Sequence, residues 1–174
     1  MKINKSILLR LIVRSSKSKY LVGLVVLQIV FSIFMFFAIQ IIKEDTGKSI
    51  LDIQFRYNIE KVTEFYSAYG EEGITTYNKI QIVDMFYPLV YSILLSSILY
   101  LLFAHSKTVA IILLPIVAAY FDYIENFLLF ISSRSFPILN PAMIKISSFA
   151  TSLKWSLIYI SIVFIIIGLL RKKK

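Results

Sequence analysis

Asp122, Glu125 and Asn126 interrupt an apolar stretch that runs from Val109 to Ile131. A charged group at that depth in hydrocarbon costs on the order of 2.5 to 3.5 kcal/mol even on the most lenient insertion scale, so it must face protein, water or a ligand. Counted from Asp122 the spacings are three and four, which puts all three side chains on one face of a helix. Two carboxylates and an amide so placed suit proton transfer, with Glu125 as general acid or base and Asp122 as the neighbour that tunes it. They also suit a polar contact for a ligand head group, or a seam between helices. Carboxylates with an asparagine can ligate a hard cation such as Mg²⁺, but this spacing matches no metal motif, and no cofactor is expected.

Followed backwards, the same face carries Ala119, Ala118 and Pro115. Small residues allow close helix approach in membranes, so the face should look into a bundle. Other polar groups are expected at similar depth. Asp84, Tyr87 and Tyr91 share a face at the start of the next apolar stretch upstream, and Ser148, Thr151, Ser152, Ser156 and Tyr159 form a stripe near the last one. Arg134 follows the acidic stretch and is expected to pair with Glu125 or to hold an anionic head group bidentately. Lys154, beside Trp155, is expected to snorkel toward the membrane surface.

The elements that must position these residues are legible from composition. Hydrophobic residues make up 58% of the 174 and charged residues 17%, too little charge to cover a soluble domain of this size. Four apolar stretches, at about 20–42, 85–104, 109–131 and 149–170, are each near the roughly 20 residues needed to cross the hydrocarbon as a helix. Open strands are excluded there because lipid offers no partner for a sheet edge. The expected fold is a single-domain, all-α membrane protein. Four transmembrane helices form a bundle, with an amphipathic helical outer loop over 43–84 between the first and second.

Charge is distributed by side. Lys2, Lys5, Arg10, Arg14, Lys17 and Lys19 precede the first span, Lys107 lies between the second and third, and Arg171 to Lys174 close the chain, with no acid among them. The positive-inside rule makes these segments cytoplasmic and predicts a multi-pass protein of the plasma membrane with both termini inside. The 43–84 loop, with eight acids against five bases, falls outside. The net charge of +9 is therefore a topology and lipid-headgroup signal, and no nucleic-acid partner is expected. The first span is too long for a signal peptide and lacks a convincing cleavage site. Ile7, Leu8, Leu11 and Ile12 have the spacing of an interfacial helix or belong to a disordered basic arm. The Asn4 sequon lies on the inner side.

Cysteine is absent, which removes disulfides and thiol chemistry, and the single histidine, His105, excludes paired-histidine zinc spacing and reads as a solvated interfacial residue. In the outer loop Asn58 can cap a helix carrying Val62, Phe65, Tyr66 and Tyr69, with Gly70 as its left-handed stop and Thr75 or Thr76 starting the next. Tyr57, Tyr66, Tyr69 and Tyr77 are expected at a wet interface.

The turn Gly70-Glu71-Glu72-Gly73 followed by Tyr77, the stretch Asp84-Met-Phe-Tyr-Pro-Leu-Val-Tyr91, and Asp122-Tyr-Ile-Glu125-Asn126 resemble those of a set of small uncharacterised four-span membrane proteins with the same order of elements. The resemblance covers the second half of the loop through the third span. It implies no activity, and it supports Asp84, Asp122, Glu125 and Asn126 as a linked set.

Three functions remain open. One is binding or transport of a lipid or small amphiphile in an outward-facing polar pocket, in which Asp84, Tyr87, Tyr91, Asp122, Glu125, Asn126 and Arg134 contact the ligand; four spans are few for a carrier, so this version expects a homo-oligomer. Another is a membrane enzyme with Glu125 and Asp122 catalytic and Arg134 on a phosphate. The third is a non-catalytic accessory or immunity-type subunit that recognises a partner membrane protein.

Overall fold

A computed structural model describes residues 7–104 and 109–172. The expectations for Lys2, Lys5, the Asn4 sequon, His105, Lys107 and the last two lysines lie outside the described residues.

Six helices follow in order: α1 (Ile7–Ser15), α2 (Ser18–Thr46), α3 (Ile59–Asp84), α4 (Tyr87–Phe103), α5 (Val109–Ser135) and α6 (Pro141–Lys172), with one 3₁₀ turn at Leu51–Ile53 and no strand among the described residues. The protein is an all-α membrane protein with four helical segments long and apolar enough to cross a bilayer: α2, the α3–α4 segment, α5 and α6. The spans are longer than expected at several ends. At 1.5 Å per residue, the 29 residues of α2 and the 32 of α6 reach about 43 and 48 Å, well beyond the roughly 30 Å of hydrocarbon. Those overhangs carry the 47–84 segment as a helical cap. α6 begins at Pro141, earlier than expected, because Pro141 takes the first helical position and Asn140 Oδ1 accepts from the Ala142 and Met143 amides at 2.9 and 3.4 Å.

Local sequence sets the breaks that aim the site. Asn58 caps α3 as expected, its side chain accepting from the Lys61 amide at 3.0 Å. Gly70 bends α3 at φ 60°, ψ −169°, a backbone conformation that glycine alone adopts without strain. The helix resumes at once over 71–84, not at Thr75 or Thr76, because the bend occupies a single residue. The second break follows from Pro88, which offers no N–H to the Asp84 carbonyl and crowds it with its ring. The helix therefore ends at Asp84 and restarts at Tyr87, and Asp84 sits at the joint between α3 and α4.

Packing is strongest where small residues permit it. α5 and α6 run against each other along their length, α4 covers α5, and α2 lies along α3 and α4. Ala118 and Ala119, buried as expected, let Tyr91 of α4 reach α5. α2 buries only Met35, Ala38 and Ile42 and exposes Val22, Val26, Ile29, Val30, Phe36 and Phe37. It is an outrigger whose surplus apolar surface belongs in lipid.

The cap has its own core. Tyr57, Tyr66, Tyr69 and Tyr77 are all buried there, which corrects the wet interface expected of them. The rings of Tyr66, Tyr69 and Tyr77 stand 5.4–6.1 Å apart, and each hydroxyl has an internal partner, so water is replaced without leaving an unsatisfied group. At the opposite end α1 inserts Ile12 against Leu99, Phe103 and Ile112 while Ile7, Leu8 and Leu11 stay exposed, as an interfacial helix requires.

Candidate functional site

Where cap and bundle meet, four carboxylates converge around one ammonium. Asp122, Glu125 and Asn126 all point inward from α5 and are at most 4% exposed. α5 runs to Ser135, so Asp122 lies at its midpoint, with 13 residues on either side. Lys154 of α6 is 4% exposed, with Nζ 2.9 Å from Asp122 Oδ1 and 2.5 Å from Glu125 Oε2. The second approach is a Coulombic contact outside hydrogen-bond geometry. The snorkelling expected of Lys154 does not occur. The α5–α6 packing seals it in, and two acids across the seam compensate the burial of its charge.

Each carboxylate is held by a different element. Tyr91 of α4 donates to Asp122 Oδ2 at 3.0 Å, and Thr151 of α6 donates to Glu125 Oε1 at 2.6 Å. Asn126 donates to Asp84 Oδ2 at 2.8 Å, which ties the α3–α4 joint to α5. The fourth acid, Asp52, comes from the 3₁₀ turn after α2. Tyr77 Oη and Gln81 Nε2 donate to its two oxygens at 3.0 and 2.9 Å, and its own carbonyl accepts from Trp155 Nε1 at 3.1 Å. Asp52 is 5% exposed, and burial pushes its carboxyl above the ordinary value of 3.8 while the Lys154 charge pulls the other way.

This floor opens into a cleft of about 470 Å³. Met35, Phe36 and Ile39 of α2, Leu94 and Leu95 of α4 and Ile158 of α6 form its apolar walls, with Ile50 and Ile53 from the cap. Its polar lining is Asp52, Asp84, Asp122 and Lys154, together with Tyr87, Tyr91, Trp155, Gln28 and Ser32. Gln28 Nε2 donates to Tyr87 Oη at 2.8 Å across the α2–α4 boundary. Apolar walls with a few convergent polar groups make a site for a molecule that is apolar along most of its length.

Of the residues expected to contact a ligand, Asp84, Tyr87, Tyr91 and Asp122 line the cleft. Glu125 and Asn126 are wholly buried behind it and act through Lys154 and Asp84. Arg134 is not part of the set: it is exposed near the end of α5, with its guanidinium 4.8 Å over the Phe130 ring, and makes no pair with Glu125. It lies nine residues beyond Glu125, about 13.5 Å along the helix and on the side that faces away. Ser148 and Ser152 of the polar stripe on α6 hold the cap, accepting from the Tyr57 amide and donating to the Phe55 carbonyl, and Tyr159 faces outward.

Sequence reasoning missed Asp52, Gln81 and the α2 wall. Asp52 was one acid among eight in a loop, with nothing local to distinguish it. Gln28 and Ser32 are polar residues four apart in an uncharged span, a signal that could have marked α2 as a wall.

Compared with protein-family models, with curated proteins and with solved structures, the chain has no match.

Proposed function

We propose that this is a protein of the plasma membrane, with both termini cytoplasmic, that binds a lipid or small amphiphile in the cleft between α2, α4 and α6 and presents or transports it on the cap side. The observation that carries the reading is the cleft itself, with apolar walls from three helices above a floor of ionisable groups. A cavity so lined suits a molecule with a tail and a polar end. Binding is preferred to catalysis because Glu125, the best acid/base candidate by sequence, has no exposed surface and does not border the cleft. The orientation is supported by Arg10, Arg14, Lys17, Lys19 and Arg171 at one end and the acid-rich 43–84 segment at the other.

Trp155 is the only tryptophan and borders the cleft, so it reports occupancy directly. In phosphatidylcholine nanodiscs, a brominated amphiphile should quench its fluorescence saturably, and Leu94→Phe, which narrows the cleft, should shift that quenching to higher amphiphile concentration. Leu101→Phe, on an exposed face, should not. Quenching that rises linearly without saturation, and is the same in all three proteins, would reject the reading. Because the chain lacks cysteine, Glu72→Cys and Arg171→Cys can be labelled individually with an impermeant maleimide in intact cells. The first should react and the second should not; the reverse pattern would invert the topology.

A further inference from the structure

The floor of the cleft also fixes what kind of polar end it accepts, an inference that rests on the cleft being a ligand site. Asp52, Asp84, Asp122 and Glu125 stand against Lys154 alone, and Lys154 is already shared between Asp122 and Glu125. Asp52 and Asp84 have no cation within ion-pair distance among the described residues. An anionic head group would meet four carboxyl groups and find the nearby cation, Lys154, already engaged.

Independent of the charge count is an unused acceptor. Asp84 is 7% exposed and borders the cleft; Asn126 holds its Oδ2, and among the described residues no side chain donates to its other oxygen. Behind it, Gln81 Oε1 and Asn126 Oδ1 are buried acceptors without a donor among the described residues. The deficit throughout is of donors. A primary ammonium supplies three donors and a positive charge, and hydrogen bonds from a charged donor to a carboxylate are among the stronger ones. The neighbouring walls suit it too: the rings of Tyr87 and Tyr91 meet edge to face 5.8 Å apart in the cleft that Trp155 also lines, and aromatic faces attract cations.

We propose that the cleft selects an amphiphile whose polar end is a cationic amine, with the ammonium seated on the free Asp84 oxygen between Asp52 and Asp122 and the alkyl chain lying between α2 and α4.

The test compares probes with a common tail on the full-length protein in zwitterionic nanodiscs: dodecylammonium, dodecanol and dodecyl phosphate, with butylammonium and Mg²⁺ as tailless cations, all read by Trp155 emission. Dodecylammonium should bind roughly ten- to a hundredfold more tightly than dodecanol, the range expected for a buried hydrogen bond to a charged group. Dodecyl phosphate should be weakest. Asp84→Asn should remove most of the advantage of the ammonium probe over the alcohol, with a much smaller change in the affinity for dodecanol, whose single neutral donor gains less from a carboxylate. Equal binding of alcohol, phosphate and ammonium would overturn the head-group assignment and leave the cleft reading intact. No saturable response to any alkyl probe would overturn the cleft reading itself and this proposal with it. A response to Mg²⁺ or butylammonium at the affinity of dodecylammonium would overturn the amphiphile in favour of a soluble cation. The wild-type comparison of head groups decides the matter even if the Asp84 variant fails to fold.

Discussion

Removing the charge of Lys154 is the sharpest test of how the bundle is held together. At an effective dielectric constant of about 20, attractions over 2.9 and 2.5 Å amount to roughly 6 and 7 kcal/mol before any desolvation is counted. Burying three ions costs several kcal/mol each, so the triad as a whole contributes little net stability. Deleting one partner is a different matter, because Asp122 and Glu125, side by side on α5, would then be left buried with no cation to compensate them. Lys154→Met, which keeps most of the unbranched side chain and removes its ammonium, should therefore cost about 3 to 5 kcal/mol. For a chain of this size about 2 to 4 °C of melting temperature accompanies each kcal/mol, so the midpoint should fall by roughly 6 to 20 °C. The assay is circular dichroism at 222 nm in a fixed detergent, since the fluorescence of Trp155 would report the neighbouring substitution directly. Combining Lys154→Met with Asp122→Asn and Glu125→Gln removes the stranded charges and should recover most of the loss. If Lys154→Met melted within about 2 °C of the wild type, or if the triple variant were no better than the single, the compensated-triad account would be wrong.

Three further outcomes follow from other parts of the fold. The Asp52 carboxyl binds its proton more tightly folded than unfolded, so its contribution is most favourable below the ordinary value of 3.8 and is lost as pH rises through the higher folded value. Asp52→Asn should then gain melting temperature relative to the wild type as pH increases from about 4 to 8; a difference that is flat or shrinks across that range counts against the burial argument. Gly70→Ala forces a side chain into a φ of 60° with ψ −169° and should cost about 1 to 3 kcal/mol, seen as a lower melting midpoint with the same helical content; an unchanged midpoint would mean the bend is not required. At the basic end a Cβ on Gly168 would come within 2.9 Å of Leu102 Cβ and 3.0 Å of Phe103 Cε2, so Gly168→Ala should cost about 1 to 3 kcal/mol through overpacking between α4 and α6; a neutral result in the same melting assay would show that these ends are not closely packed.

Short-range chemistry carried much of this in the chain itself. Four apolar runs required four membrane-crossing helices because an unpaired backbone cannot stay in lipid, and the period of α5 put Asp122, Glu125 and Asn126 on the face that carries Ala118 and Ala119. Asn58 marked a helix start and Gly70 a break for equally local reasons. Lys154 and the four cap tyrosines were misjudged because burial is not a local property. The same lysine snorkels when its helix faces lipid and bridges two acids when α5 covers it. Asp52 lies 70 residues from Asp122 and 102 from Lys154, and no spacing rule links positions that far apart. Tertiary packing alone brought that turn over the α5–α6 seam, and with it decided that the polar centre is the floor of a cleft walled by α2.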